Sequence, residues 1–446
     1  RPLDHAVWSF SPGAELPKDK QLHTACGFVS MKDSFKGVNR EDKPLGRPLI
    51  YSKCTDADCA SIFSGAHEVC SVCEQPSLEF KLFQPNGFVT TFDPKDYDGQ
   101  RQRGASITPP VLAFSPDYDA GIAVGAASVA LTEKKPIALV NDNNGKMYDF
   151  YEKFKTVVVP EAGLYRDPPK DLECEGEPFD TGAIGAVFTT DVLSIALTGA
   201  QGVGNNGFLD VREQEAARTA IASFGEFLKV AAATYLDIDP QELRVGRQRL
   251  MRPEGITEHL FVADALENGA GYARRLFDKK RLTDLLQRHY QIVKKKWEGD
   301  AHKDCDMSCP DCLRNYGNRM THYLLDWRLA LDMAELVLQI PLDESRWLGN
   351  AEQVAENFKD LCEMNGIQLQ VEEAGDLQAV VLGDSKAFIL CHPLWHSKEG
   401  LATDQQVDAK MDLRALHGSG LKVTFCDIRL LAARPQPFMH QMGQES

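Results

Sequence analysis

Seven of the twelve cysteines fall into two groups whose spacing suits a metal ion. Cys54, Cys59, Cys70 and Cys73 read C-x4-C-x10-C-x2-C, and Cys305, Cys309 and Cys312 read C-x3-C-x2-C. Zinc wants four nitrogen or sulfur ligands in a tetrahedron, and two thiolates separated by two residues reach one ion from a single tight turn. The first group supplies four thiolates by itself, with His67 as a possible replacement for one of them. Other readings are four unrelated reduced thiols, or a redox pair at Cys70 and Cys73 without the parallel βαβ surroundings such a pair needs. The second group lacks one ligand. His302, three positions before Cys305, completes it most simply, with His322 or Cys174 as fallbacks. Closed cages of this kind are structural, and each contributes about 10 kcal/mol or more of apparent folding free energy. An open fourth position would suit a catalytic zinc, but no nearby carboxylate is placed to act as its base. The H-x-E of zinc deaminases is replaced by His302-Lys303-Asp304. No catalytic residue is assigned.

The chain that must position these groups has 446 residues, enough for two to four domains. Hydrophobic residues at 43% and charged residues at 26% are ordinary globular usage. No apolar run of spanning length occurs, so no membrane partner is expected. The chain starts at Arg1 without an apolar signal core, which reads as a fragment of a longer protein. Clustered cysteines without a secretory signal suggest a reducing, cytoplasmic setting. A net charge of −16 opposes nucleic-acid binding overall while permitting a local basic strip. The strip is residues 274–296, with nine Lys and Arg against two Asp. Arg274, Arg275, Lys279, Lys280 and Arg281 could follow a phosphate backbone, or simply form a solvated helix face. Asn268 and Gly269–Gly271 open a predicted helix whose free N–H groups could hold a phosphate, the plainer reading being a tight turn.

The pattern predicts an α+β protein. Residues 1–160 alternate apolar and polar in short segments and read as a β-rich domain with a zinc ribbon at 51–76. NDNNGK at 141–146 has hairpin-turn composition. Residues 160–180 are acidic and Pro-rich, like an exposed linker. Residues 181–340 read as a mixed α/β zinc-binding domain. In it, Ala217, Ile221, Phe224, Leu228 and Ala231 share one helix face, and a long helix runs from Asn318 to Gln339. Residues 341–446 alternate helix and strand as a small α/β unit. Asp191 reads as a buried pairing carboxylate. Tyr316, Asn318 and Asp326 read as braces of the metal loop, and Trp327 as core. His392 and His396, with Asp384 and Glu399 near in sequence, hint only weakly at a nuclease site.

Four blocks carry a family resemblance: FTTDVLSIAL from Phe188, VADALENGAGY from Val262, SCPDCLRNYGN from Ser308 and HYLLDWRLALD from His322. In order and spacing they resemble the MrfA-type zinc-binding domain of superfamily-two DNA helicases and of partner proteins in anti-phage systems. With the upstream ribbon the resemblance covers roughly residues 6–335. Druantia- and DISARM-type defence helicases are the comparisons this resemblance suggests, and CHPLW at 391–395 resembles their tails more loosely. The resemblance makes Cys305, Cys309 and Cys312 metal ligands. This chain has no C-x-C pair before CPDC, unlike some members, and that leaves the fourth position to His302. The resemblance implies ATP-powered strand separation, with DNA as partner, in phage defence or repair. There is no GxxxxGK[ST] loop and no Walker-B-like box, so ATP and Mg2+ belong to a motor elsewhere, in cis or in trans. The expected role is a helicase accessory region that binds or guides single-stranded DNA. The alternatives are an interaction subunit that docks a separate helicase without touching DNA, and a stand-alone metalloenzyme.

Overall fold

The computed structural model describes residues 3–443 except 35–36, 42, 58, 60, 92, 98–110, 113–119, 166–171, 198–208, 212–213, 253–254 and 267–268. Its spine is the strand Asp180–Leu197, which belongs to a 15-stranded mixed sheet. This strand is buried along most of its length, as expected where both faces of a sheet are covered. Ala127–Asn141 runs antiparallel beside it, from Ile184 opposite Asn141 to Leu197 opposite Ala127. Its other partners are Gly255–Asp264 and Tyr148–Lys153, both antiparallel, and Ser77–Phe83, parallel. Strands from the expected 1–160 and 181–340 regions therefore lie side by side through Asp180–Leu197.

The Asn-rich turn forms as its composition predicts, with Asn143, Asn144 and Gly145 all at positive φ. It does not close a hairpin. The strands it connects both pair with Asp180–Leu197, at Ile184 and at Gly182 respectively.

The helix Glu215–Leu236 packs on the strands Leu243–Arg252 and Gly255–Asp264. All five positions predicted to share its face are buried, and so are most of the others. A helix apolar or small all round is a core helix. Its second side packs against helices Lys279–Trp297 and Trp327–Leu338. The expected long helix from Asn318 is shorter than predicted. Arg319–Leu324 is a 3-10 segment, Leu325 is extended, and the α-helix starts at Trp327. The break has a local cause. The Asp326 carboxylate accepts from Arg328 N at 2.9 Å as an N-cap, while Trp327 N donates to Met307 O.

The last unit is a four-stranded sheet of Gln370–Ala374, Leu377–Leu382, Lys386–Cys391 and Lys422–Asp427, the final pair being parallel. Helices Ala351–Met364 and Asp404–His417 pack on it, the second started by a Thr403/Gln406 capping box. A buried polar junction joins this unit to the helix Trp327–Leu338. The Arg346 guanidinium pairs with Asp332 and with Glu335 (2.7 Å), and Trp347 Nε1 donates to Asp332 at 2.8 Å. Among the described residues, no helix is long and apolar enough to cross a membrane.

Candidate metal centres

The first cage hangs on a β-scaffold. Cys54 ends the strand Leu49–Cys54 and lies opposite Ser77, the first residue of Ser77–Phe83. The ladder thus brings the turn carrying Cys70 and Cys73 back beneath Cys54. The Sγ atoms of Cys54 and Cys73 are 3.4 Å apart and those of Cys59 and Cys70 3.7 Å apart. All four lie within 4.8 Å of one another. Zn–S bonds of about 2.3 Å in a tetrahedron place sulfurs about 3.8 Å apart, so the spacing fits. Backbone N–H groups of Asp56 and Val72 point at the Cys54 and Cys70 sulfurs (3.4 and 3.3 Å). His67 is exposed and its Nε2 meets Ser64 O at 3.0 Å, so it does not join the cage.

The second cage sits between helices. His302 Nε2 is 3.4 Å from Cys309 Sγ, and Cys305 Sγ is 4.0 Å from Cys312 Sγ. These four side chains also converge within 4.8 Å. His302 Nδ1 meets Trp297 O at 2.9 Å. A carbonyl only accepts, so the proton sits on Nδ1 and Nε2 is left bare for a metal. Trp327 is core, as expected, and also a brace. Its ring meets the His302 ring edge-on at 5.3 Å, and its Nε1 donates to Cys305 O at 3.2 Å. Asn318 braces the loop as predicted, donating to Leu313 O at 2.8 Å and exchanging hydrogen bonds with Asn315. The fallback ligands are engaged elsewhere. His322 Nε2 lies 2.9 Å from Asn318 Oδ1, and Cys174 packs against the cluster of Cys26, Val158, Tyr165 and Leu172.

Burial raises the Cys54 and Cys305 thiols and pushes Cys70 up to about 11. Neighbouring cysteines contribute to all three of these shifts, because several thiolates cannot share a buried cage without a cation. Two sets of soft donors, one of four sulfurs and the other of three sulfurs and an imidazole nitrogen, with no carboxylate, suit zinc over calcium or magnesium.

The basic strip divides. Arg274 is tied to Glu133 (2.7 Å) and to Asp191 (3.5 Å), and Asp191 also accepts from Lys134 N at 3.0 Å. Asp191 is thus the buried pairing carboxylate expected. Arg281 donates to Arg275 O, and Lys294 pairs with Asp343 at 2.8 Å. Arg275, Lys279 and Lys280 stand exposed around the start of the helix Lys279–Trp297.

The phosphate reading of the glycine turn fails. The Asp264 carboxylate takes the N–H groups of Tyr272 (3.0 Å) and Ala273 (2.9 Å), so an anion is already there. Asn268 lies outside the described residues. The nuclease reading of His392 finds no support either. His392 is fully buried, accepts from Leu394 N through Nδ1, and faces Asp332 at 3.5 Å in the inter-unit junction. Asp384 meets His417 instead (3.1 Å), and the Glu399 side chain lies outside those described. Sequence reading missed the junction of Arg346, Asp332 and Glu335. It also missed the arginines of the strand Leu243–Arg252, although their recurrence at 244, 247 and 249 was a usable signal.

A mixed sheet packed by helices and carrying two thiolate-rich clusters that fit zinc defines a mixed α/β scaffold. Residues 224–313 match the family model of the MrfA Zn-binding domain. The Druantia protein DruE of Escherichia coli (strain UMEA 4076-1) is 25% identical over 381 residues, covering 75% of this chain and 19% of DruE. The solved structure of the DUF1998 helicase MrfA bound to DNA aligns with 70% of this chain and 34% of its own, at 12% identity and a TM-score of 0.32. MrfA bound to DNA and AMPPNP aligns with 67% of this chain and 31% of its own, at 12% identity and a TM-score of 0.21. Residues 224–313 are therefore similar to the MrfA Zn-binding domain, and the chain spans 19% of the length of the curated relative it matches.

Proposed function

We propose that this chain is an accessory region of an ATP-dependent DNA helicase, serving phage defence or DNA repair, and that it guides single-stranded DNA for a motor. The observation that carries this reading is the match of residues 224–313, in whose middle Arg275, Lys279 and Lys280 project from the surface of an otherwise acidic chain. In this reading Cys54, Cys59, Cys70 and Cys73 hold one zinc, and His302, Cys305, Cys309 and Cys312 hold the other. Neither ion does chemistry. Each fixes a loop so that the strand meets a rigid surface. Arg275, Lys279 and Lys280 contact backbone phosphates, and Arg274 and Arg281 orient that turn. The net charge of −16 supports a second reading, docking of a separate helicase without DNA contact.

Fluorescence anisotropy of a labelled oligonucleotide across a salt series separates the two. Reversing Arg275, Lys279 and Lys280 to Glu should lower single-strand affinity at least tenfold. It should also flatten the log–log salt slope by about 2, since each phosphate contact on a single strand contributes about 0.7. Unchanged affinity and slope would refute strand guiding and favour docking.

A further inference from the structure

A cavity of about 390 Å³ opens between the N-terminal helix Leu3–Ser9, the helix Glu215–Leu236, the strand Leu243–Arg252 and the loop that follows Cys312. Its wall includes Trp8, Lys229, Arg244, Arg247, Tyr316 and Arg319. Four cations in one cavity of so acidic a chain need a reason. Among the described residues of the lining, Glu226 is the only carboxylate. It lies 4.0 Å from Lys229 and also accepts from Asn315 at 3.3 Å. Arg247 shares the Glu258 carboxylate with Arg249 (2.9 and 3.2 Å), so one negative charge is divided between two guanidinium groups. Arg244 is held over the Phe188 ring at 4.6 Å.

Tyr316 is the second half of the observation. Its side chain was read from sequence as a brace, yet it is 69% exposed. The Arg319 guanidinium lies 4.6 Å from its ring centroid. A ring covered on one side by a guanidinium has one flat face left, and an exposed aromatic beside fixed cations is the combination that takes a nucleobase with its phosphate. The volume falls at the low end of small-ligand sites, about 300–1,000 Å³, which admits one nucleotide and excludes a duplex. The cage sets the position of this wall, because Tyr316 and Arg319 follow Cys312 within a loop that Asn318 pins to Leu313.

We propose that this cavity binds one unpaired nucleotide, its base stacked on Tyr316 and its phosphate held among Lys229, Arg247 and Arg319. The proposal rests on the strand-guiding reading and adds to it a point where a base is held individually. The same chemistry is offered by a free nucleotide, and the test separates the two sources.

The whole chain is titrated with a single-stranded oligonucleotide carrying one 2-aminopurine, and separately with deoxyadenosine monophosphate. The expected result is strong quenching of 2-aminopurine on binding. In Tyr316→Ala the quenching should be lost and affinity should fall roughly 5- to 100-fold, the usual worth of one base–aromatic stack. Tyr316→Phe should behave as the parent, and Arg319→Ala should lie between. Because Tyr316 and Arg319 are exposed, zinc content and melting should be unchanged in all three variants. If the oligonucleotide binds equally well, with equal quenching, to Tyr316→Ala while the Arg275/Lys279/Lys280 reversal abolishes binding, the cavity proposal is wrong and the strand-guiding reading survives. Mononucleotide binding that Tyr316→Ala removes, with no oligonucleotide binding, assigns the cavity to free nucleotides and overturns strand guiding alone. Binding of neither probe overturns both.

Discussion

The two cages solve one ligand problem on opposite kinds of support. The first takes its geometry from a hydrogen-bonded ladder: Leu49–Cys54 pairs with Ile62–Ser64 and with Ser77–Phe83, Cys54 ends the first of these strands, and the other three cysteines sit in the connections between them. Its neighbours would keep their strand pairing if the ion were lost. The second has no ladder. Its ligands occupy a 3-10 turn and irregular loop held by Trp297 O, by Trp327 and by the ends of two helices. There the ion would replace secondary structure, and the loop it organises carries Tyr316 and Arg319 outward. One cage thus lies at the edge of a sheet, while the other lies under the loop that carries the proposed nucleotide site.

That contrast fails most readily under ligand replacement. Cys309→Ser should remove one zinc equivalent and, with about 10 kcal/mol of folding free energy at stake, abolish cooperative melting of the α-helical part. Cys70→Ser should also remove one equivalent, yet leave the main transition in place and add an earlier, smaller one. Calorimetry with metal analysis reads both, and identical melting of the two variants would erase the distinction.

The buried junction behind the second cage gives the next largest effect. Arg346→Met removes the guanidinium from buried Asp332 and leaves Glu335 only Lys294, at 3.6 Å, and removing one partner of such a set costs about 3–5 kcal/mol. Urea unfolding should show a matching fall in midpoint.

A smaller effect is pH-dependent. Burial lowers His289 to about 4, and its ring lies 4.7 Å from that of Phe227. A histidine depressed in the fold stays neutral there while the unfolded chain protonates near 6.5. Stability from this group is therefore full above about pH 6.5 and lost as pH falls towards 4, by about 3 kcal/mol in all. The difference between parent and His289→Leu isolates it. Cys70→Ser should keep that difference and Cys309→Ser should lose it, because His289 lies on the helix that leads to the second cage.

The cage residues were legible because their information is local: ligands a few residues apart state their own chemistry. Helix Glu215–Leu236 and the succession of helices and strands in the tail were legible from periodicity for the same reason. What pairs across long separations was not. Nothing near Arg274 announces Glu133 or Asp191, and nothing near Arg346 announces Asp332, 14 residues back on a helix whose apolar spacing dominates its pattern. The helix break at Asp326 was hidden too. Leu324 and Leu325 fit the helical period, and only the cap reveals where the helix begins.

The central claim is that two closed cages, one of four sulfurs and one of three sulfurs and a nitrogen, hold this scaffold. X-ray absorption on metal-analysed protein tests it most directly. Two zinc ions per chain are predicted, with Zn–S near 2.3 Å and Zn–N near 2.0–2.1 Å in a shell averaging about seven sulfurs to one nitrogen over the pair. A single equivalent, or a water oxygen completing either shell, would contradict it.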